Sequence, residues 1–477
     1  MALHDLTALE AAAAVRTGEV SPVELVTHAL ARADALGDLV GAFVTMTAER
    51  ALEQATEAER DVHGASELPP FHGVPTAIKD LNLTAGVPTK LGSLAFADFV
   101  PPIDDDLVTG LRAAGTISIG KTNAPEVGLP CYTEPDPVIA PPARTPWDLT
   151  RSAGGSSGGA AAAVASGIVP VASASDGGGS IRIPASVCGL VGFKPSRGRV
   201  SNGPLGSDWS GLVQQLVVSR TVADTAAFLD VLAQDATGGP FLAATTRPPA
   251  RLRVARSLDT SVGVKPEPAC IAAADAACTA LAELGHEIED VTGPILPSEL
   301  YDQFIVLWCT SAASIPVDPA REHLLRPLTR TLRERGHALS APQLAAALGL
   351  IGNAVRSAAQ RFAGYDLIVC PTLAQLPARV GQLRDDDDPW SDFDAQVRYT
   401  PYTAIHNTTG WPSISLPTSW VEVPRSQASG GGVDDSDVTL PVGVMLTAHA
   451  GRDALLLSVA AQLEAALPWR DRRPPVW

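Results

Sequence analysis

The stretch TRSAGGSSGGAAAAVASGIVPVASASDGGGSIRIPASVCGLVGFKPSRGRVS, residues 150–201, decides how the rest of the 477-residue chain is read. It carries two glycine-flanked serine sites, Gly154-Gly155-Ser156-Ser157-Gly158-Gly159 and Gly177-Gly178-Gly179-Ser180. The alanine-rich run between them reads as a helix and then a strand, a succession that can return both serines to one place. Glycine loses more backbone entropy on folding than any other residue, so such clusters persist where the chain needs positive φ or where another group must approach the backbone. The two loops therefore read as surfaces against which something docks.

On the N-terminal side, residues 5–60 read as helices. Ser21-Pro22-Val23-Glu24 has the form of a capping box with proline at the first helical position, followed by Leu25, Val26, Ala29 and Leu30 at helical spacing. His72 to Asp80 is a short β-like run ending in Lys79, and a helix from Asp106 leads into the strand Thr116 to Ile119. On the C-terminal side the pattern predicts a helix over 222–232, a surface loop over 238–249, a strand over 252–255 and a helix over 266–284. A mainly helical stretch over 300–360 and a buried strand over 365–372 follow. Asp385 to Asp388 reads as a solvated loop. Strands over 413–417 and 442–446, separated by a loop over 426–436, lead to a final helix over 452–466. Helix and strand alternate along the chain, which argues for an α/β architecture.

The bulk numbers narrow the function classes. A hydrophobic share of 45% and a charged share of 18% are those of an ordinary globular protein, and no apolar run is long enough to suggest a membrane span. The formal net charge of -17 argues against nucleic acid or an anionic membrane surface as a partner, because either requires a basic face. Asp5 and Glu10 stand where a signal peptide needs a basic and then an uncharged region, so the chain reads as cytoplasmic. Cys131, Cys188, Cys270, Cys278, Cys309 and Cys370 show neither a CxxC pair nor metal-ligand spacing, and read as buried free thiols. No metal is implied.

Two motifs match by letter and fail by context. Gly154 to Gly158 satisfies GxSxG, the nucleophile elbow of α/β-hydrolases, but the polar, turn-like Pro146 to Ser152 stands where an apolar strand should lead in. His406 and His449 are the histidines that reading would have to recruit. Gly115 to Thr122 satisfies GxxxxGK[ST], yet Thr116-Ile117-Ser118-Ile119 has strand propensity and Pro125 interrupts the helix a phosphate loop needs.

What remains is Lys79 with Ser156 and Ser180. A serine hydroxyl is a weak nucleophile and needs a base, and lysine acts as one only when its pKa falls from about 10.4 towards 7–8, a shift of roughly 4 kcal/mol. Burial produces such a shift, and Lys79 follows the apolar Val74, Pro75, Ala77 and Ile78. A strand-end lysine reaching water accounts for the same run equally well.

The blocks GVPTAIKDLNLTAGVPT (73–89), LRAAGTISIGKTNAPEVG (111–128), RTPWDLTRSAGGSSGG (144–159), SDGGGSIRIPASVCGLVGFKPSRGRVS (175–201), HNTTGWPSISLP (406–417) and LPVGVMLTAHAGRDALLLSVAAQLE (440–464) resemble the amidase signature family, in the family's order and nearly from end to end. The resemblance makes GKTN and its glutamate a structural block of that family. It implies one α/β domain over residues 1–477, with a mixed, twisted central sheet covered by helices on both faces. Within it lie N-terminal helices over about 5–60, a catalytic core over about 66–201 and a variable pocket wall over about 300–400. It puts the family's catalytic lysine on Lys79, its cis-configured bridging serine on Ser156 and its acylated nucleophile on Ser180. The backbone N–H groups of Gly177, Gly178, Gly179 and Ser180 are placed to act as an oxyanion hole, and Ser157 and Ser175 are candidate hydrogen-bonding neighbours, with Ser175 standing where members of the family often carry threonine.

The implied reaction is hydrolysis of a small-molecule amide through an acyl-enzyme, with no cofactor. TEPD (133–136), the IRIPASVCG block and AAQLEAALPW (460–469) look like stand-alone bacterial amidases, including the type that opens nylon-oligomer cyclic amides. Aryl amides, esters and carbamates stay open as substrates, and a homodimer is compatible with the pattern. The alternative is the amidase component of a tRNA-dependent amidotransferase complex. Tyr301, Phe304, Trp308 and Trp209 are candidate pocket residues, although each taken singly fits a core better than a ligand contact, since aromatics dominate ordinary cores.

Overall fold

Lys79 ends one of eleven strands that the computed structural model forms among the described residues, 2–64, 67–206, 209–235, 240–424 and 437–477. In chain order they are β1 (Phe43–Met46), β2 (Pro75–Lys79), β3 (Ile117–Thr122), β4 (Val171–Asp176), β5 (Val191–Lys194) and β6 (Gln214–Ser219). Then come β7 (Arg253–Arg256), β8 (Glu287–Asp290), β9 (Leu367–Pro371), β10 (Ser413–Pro424) and β11 (Asp437–Ala448). They join in one sheet in the order β1-β3-β2-β4-β6-β5-β10-β11-β9-β7-β8. The sheet is mixed: β3, β2 and β4 run parallel, as do β9, β7 and β8, while β4 through β6, β5, β10, β11 and β9 pair antiparallel.

β2, β5, β6 and β9 are buried along their whole length, which requires cover on both faces of the sheet. The α/β fold expected from sequence is the one observed. Among the described residues no single helix is long and apolar enough to cross a membrane.

The register positions the two serine loops. Thr76 and Ala77 of β2 lie opposite Val171 and Ala172 of parallel β4, so both strands end at the same edge of the sheet. Lys79 closes β2 there, and Asp176 closes β4 immediately before Gly177 to Ser180. The carboxyl ends of parallel strands are where ligands gather in open α/β sheets. The chain reaches β4 through the buried helix Gly158–Ala165, whose N-terminus starts directly after Ser156 and Ser157. That helix consists of glycine, alanine and one valine and is buried at every position.

Several segments differ from expectation for identifiable reasons. β1 interrupts the stretch 5–60, where flanking helices dominate the hydrophobic pattern. β8, Glu-Ile-Glu-Asp, holds one apolar residue because it is a largely exposed edge strand paired only with β7. β5 and β6 add to the strands expected from sequence, and β6 escapes the pattern because it opens on Gln214 and Gln215, which are buried despite their polarity. A short helix, Phe241–Ala244, stands inside the expected loop 238–249. β10 and β11 pair far beyond 417 and 442, down to Pro424 opposite Asp437, with an irregularity between Leu416 and Ser419 at Pro417, a residue that cannot donate to the ladder. The expected loop 426–436 lies outside the described residues. The GxxxxGKT letters fall on strand β3, and Lys121 is buried, donating to the Asn82 carbonyl at 2.6 Å and Thr89 Oγ1 at 2.7 Å.

A Cβ on Gly159 would stand 2.4 Å from the Asn123 nitrogen and 2.6 Å from the Ala42 carbonyl oxygen, both backbone atoms. Gly159→Ala is expected to destabilise the protein by about 1–3 kcal/mol through overpacking, read as a lower urea midpoint at unchanged slope.

Candidate active site

The Lys79 side chain is 0% exposed and ends among hydroxyls. Its Nζ donates to Ser157 Oγ at 2.8 Å, to Ser156 Oγ and Ser175 Oγ at 2.9 Å each, and to the Ser175 carbonyl at 3.4 Å. The Lys79 backbone N–H donates to Ser173 Oγ at 2.7 Å, which fixes the strand end behind it. Burial pushes the Lys79 amine down to about 7, against the opposing pull of the Asp176 carboxylate. Of the two readings that the sequence leaves open for this lysine, the structure shows the buried one.

Ser156 is 2% exposed and follows a cis peptide from Gly155. The glycines around it are required by close approach: a Cβ on Gly155 would lie 2.7 Å from backbone atoms of Tyr132. Gly154 has φ of +72°. Ser180, 6% exposed, stands after a three-glycine turn in which Gly179 has φ of +136° and leaves no room for a Cβ beside Thr403. Ser157 and Ser175 thus meet Ser156 at one amine. Ser180 makes no hydrogen bond to Ser156 among the described residues.

The turn that carries Ser180 is held by a buried ionic network. Asp176 accepts from the N–H of Gly179 at 2.7 Å and of Ile181 at 3.2 Å. Arg182 donates to both Asp176 carboxylate oxygens at 2.8 Å, and Asn407 Nδ2 donates to Asp176 Oδ1 and to the Asp176 carbonyl at 2.8 Å. Arg182 also reaches Asn407 Oδ1 and Ser413 Oγ, and Thr403 donates to the Gly178 carbonyl at 2.6 Å. Burial alone would raise the Asp176 carboxyl, but the Arg182 guanidinium and the Asn407 amide hold it well below the usual carboxylate range.

This network bears on the four amides expected to face an oxyanion. The Gly179 N–H is committed to Asp176, whereas the N–H groups of Gly177, Gly178 and Ser180 donate to no acceptor among the described residues. Asp176, Arg182, Thr403 and Asn407 hold the serine turn and are the residues of this network that sequence reasoning misses. Asp176 and Arg182 are visible as lone charges inside an apolar run, a usable signal. Asn407 lies 231 residues from Asp176, and nothing local marks it.

The histidines stand elsewhere. His406 is fully buried, with Nε2 3.3 Å from Thr447 Oγ1, and burial drives its imidazole well below the usual value. His449 Nε2 faces the carbonyls of Phe362 and Tyr365. Ser156 sits in a turn ahead of a helix, with no strand leading directly into it, unlike an elbow nucleophile. Among the described residues no group of three or more His, Cys, Asp or Glu side chains is placed to hold a metal ion, and the six cysteines are free and buried.

Two cavities meet at this edge. A cavity of about 110 Å³ touches Ser180 and is lined by Leu129, Ile183, Leu300, Tyr301, Phe304 and Trp308 among others. A larger cleft of about 980 Å³ touches Ser156, Ser175 and Gly177, with Trp209 on its wall. Three of the four candidate aromatics thus face the first cavity, and Trp209 faces the second.

The family model described as Amidase matches residues 24–457. A 6-aminohexanoate-cyclic-dimer hydrolase of Paenarthrobacter ureafaciens is 34% identical, covering 96% of this chain and 94% of the relative. A solved structure of 6-aminohexanoate cyclic dimer hydrolase complexed with substrate superposes with a TM-score of 0.87 at 31% identity, over 99% of both chains. A glutamyl-tRNA(Gln) amidotransferase chain from Thermotoga maritima gives a TM-score of 0.71 at 24% identity, over 98% of this chain and 96% of that one, a likeness of fold alone.

Removing the carboxylate that anchors the turn leaves Arg182 buried without its partner. Asp176→Ala is expected to lower the unfolding free energy by about 3–5 kcal/mol, measured by urea denaturation followed through tryptophan fluorescence.

Proposed function

The chain belongs to the amidase signature family and is an amidase, and we propose that it hydrolyses a small-molecule amide through an acyl-enzyme formed on Ser180, with Ser156 and Lys79 as its proton relay. The observation that carries this reading is the wholly buried Lys79 amine, pushed down to about 7 and hydrogen-bonded to Ser156. A neutral amine is what a general base needs, and a pKa near the working pH gives it both the free lone pair and the basicity. Ser156 Oγ passes its proton to Lys79 Nζ as it takes one from Ser180 Oγ, which attacks the substrate carbonyl. Catalytic hydrogen bonds are commonly long before substrate binds, so the missing Ser156 to Ser180 bond is compatible with this relay.

The negative charge that develops on the carbonyl oxygen falls to the amides of Gly177, Gly178 and Ser180, each such donor contributing about 3–4 kcal/mol in the transition state. Gly179 serves by holding the turn, since its N–H is already bonded to Asp176. The C–N bond breaks as the relay returns a proton to the leaving nitrogen, and water then cleaves the ester by the same route. Cyclic amides are candidate substrates through likeness to the cyclic-dimer hydrolase, and aryl amides, esters and carbamates share the same carbonyl chemistry. The amidotransferase reading has only the fold in its favour. A cytoplasmic location belongs to the same proposal, supported by the six free cysteines.

Ser180→Ala is expected to abolish hydrolysis with the fold retained, and mass spectrometry after a phosphonofluoridate should find one adduct, on Ser180. An adduct on Ser156 would sink the assignment.

The pH profile follows from the lysine. Because the amine acts only when neutral, kcat/KM should fall tenfold per pH unit below about 7 and stay level above it. Lys79→Arg should be inactive at every pH, since guanidinium keeps its proton, while His406→Ala and His449→Ala, where they fold, should keep the limb near 7. An active arginine variant would overturn the relay.

A further inference from the structure

The two cavities differ in chemistry as well as size. No acidic, basic or histidine side chain lines the cavity at Ser180. Its polar groups are mostly engaged with the protein: Ser261 Oγ donates to the Leu296 carbonyl, Thr400 Oγ1 to the Gln396 carbonyl and Thr408 Oγ1 to the Ala404 carbonyl. Gln396 accepts from the Cys131 N–H at 2.7 Å and donates to Asp392 at 2.6 Å. The cleft at Ser156 is instead lined by Asp98, Asp105, Asp318 and Arg321; Arg321 pairs with Asp98, so its acidic balance rests on Asp105 and Asp318.

Leu129 and Trp308 line both spaces. Trp308 lies over the glycine turn: a Cβ on Gly177 or Gly178 would stand 3.5 or 3.6 Å from its ring, which stacks on Phe304 at 5.4 Å between centroids. The indole therefore stands between the cavities, directly beside the amides assigned to the oxyanion.

Proton traffic decides which side of the substrate goes where. When the C–N bond breaks, the nitrogen must collect its proton from Ser156 Oγ, and Ser156 opens into the large cleft. The acyl carbon is bonded at that moment to Ser180 Oγ, which opens into the apolar cavity. Resting on the Ser180 acyl-enzyme proposed above, we infer that Trp308 partitions the two halves of the amide, confining an uncharged, apolar acyl group to the Ser180 cavity and sending a polar or cationic amine into the acidic cleft.

An unpaired ammonium or carboxylate in a cavity without a counter-charge is strongly disfavoured. Three p-nitroanilides that differ only at the far end of the acyl chain test this: hexanoyl, 6-aminohexanoyl and the mono-anilide of adipic acid. The charged acyl groups should lower kcat/KM at least about 100-fold, a difference of about 2.7 kcal/mol. On the amine side, hexanoyl amides of butylamine and of 1,4-diaminobutane should stay within about fivefold of each other. Trp308→Ala should narrow the discrimination against the 6-aminohexanoyl anilide at least about tenfold by joining the cavities, and Trp308→Phe should preserve it; if Trp308→Ala does not fold, the wild-type panel alone decides. Equal turnover of the hexanoyl and 6-aminohexanoyl anilides, or discrimination confined to the amine side, would overturn the partition and leave the amidase reading standing. No turnover of any amide, with no adduct on Ser180, would overturn both.

Discussion

Everything at this site depends on keeping one amine out of water. Lys79 reaches the sheet edge from a strand buried along its whole length, and its partners there are three hydroxyls and a carbonyl. Hydroxyls stabilise an ammonium far less than a carboxylate does, so burial wins and the amine loses its proton near neutrality. Asp176, the carboxylate whose charge opposes that loss, is already bound to Arg182 and Asn407 and makes no ion pair with Lys79. One ionic network thus orients the serine turn and leaves the lysine without a direct counter-ion.

Two other buried lysines show what is particular to this one. Lys121 is brought down to about 8 by burial but lies 3.8 Å from Asp80, whose own carboxyl burial raises to about 6, and it ties the strand end to the Asn82 carbonyl. Lys194, pushed to about 7 by burial, donates to the Pro195 carbonyl. Neither is bonded to a serine that opens into a cavity. A depressed lysine by itself is a structural commonplace of this core, and Lys79 is set apart by its hydroxyl partners, of which Ser156 and Ser175 open into the cleft.

The legible part of the sequence is the local part. The two glycine clusters announce positive φ and close approach, and Gly154, Gly155 and Gly179 stand where a side chain would meet strained φ or occupied space. The apolar run before Lys79 shows a buried strand, and Thr116 to Ile119 betray the phosphate-loop letters as β3. What stays hidden depends on contacts across the fold. Asn407 and Thr403 come to the serine turn from a helix near the C-terminus, and the competition of Asp176 for the Gly179 amide is a matter of tertiary geometry. Short strands with polar residues, such as β8 and the start of β6, give no period-2 signal to read.

The chain has five lysines, at positions 79, 90, 121, 194 and 265, few enough to follow individually. An NMR titration of protein labelled with [ε-13C]lysine, with the Lys79 signal assigned by its loss in Lys79→Arg, measures the protonation on which the account rests. The account predicts a Lys79 midpoint near 7, distinguishable by assignment from Lys194, which titrates in the same region. A Lys79 midpoint near the ordinary lysine value of about 10.4 would contradict it, because the amine would then be charged whenever the enzyme works.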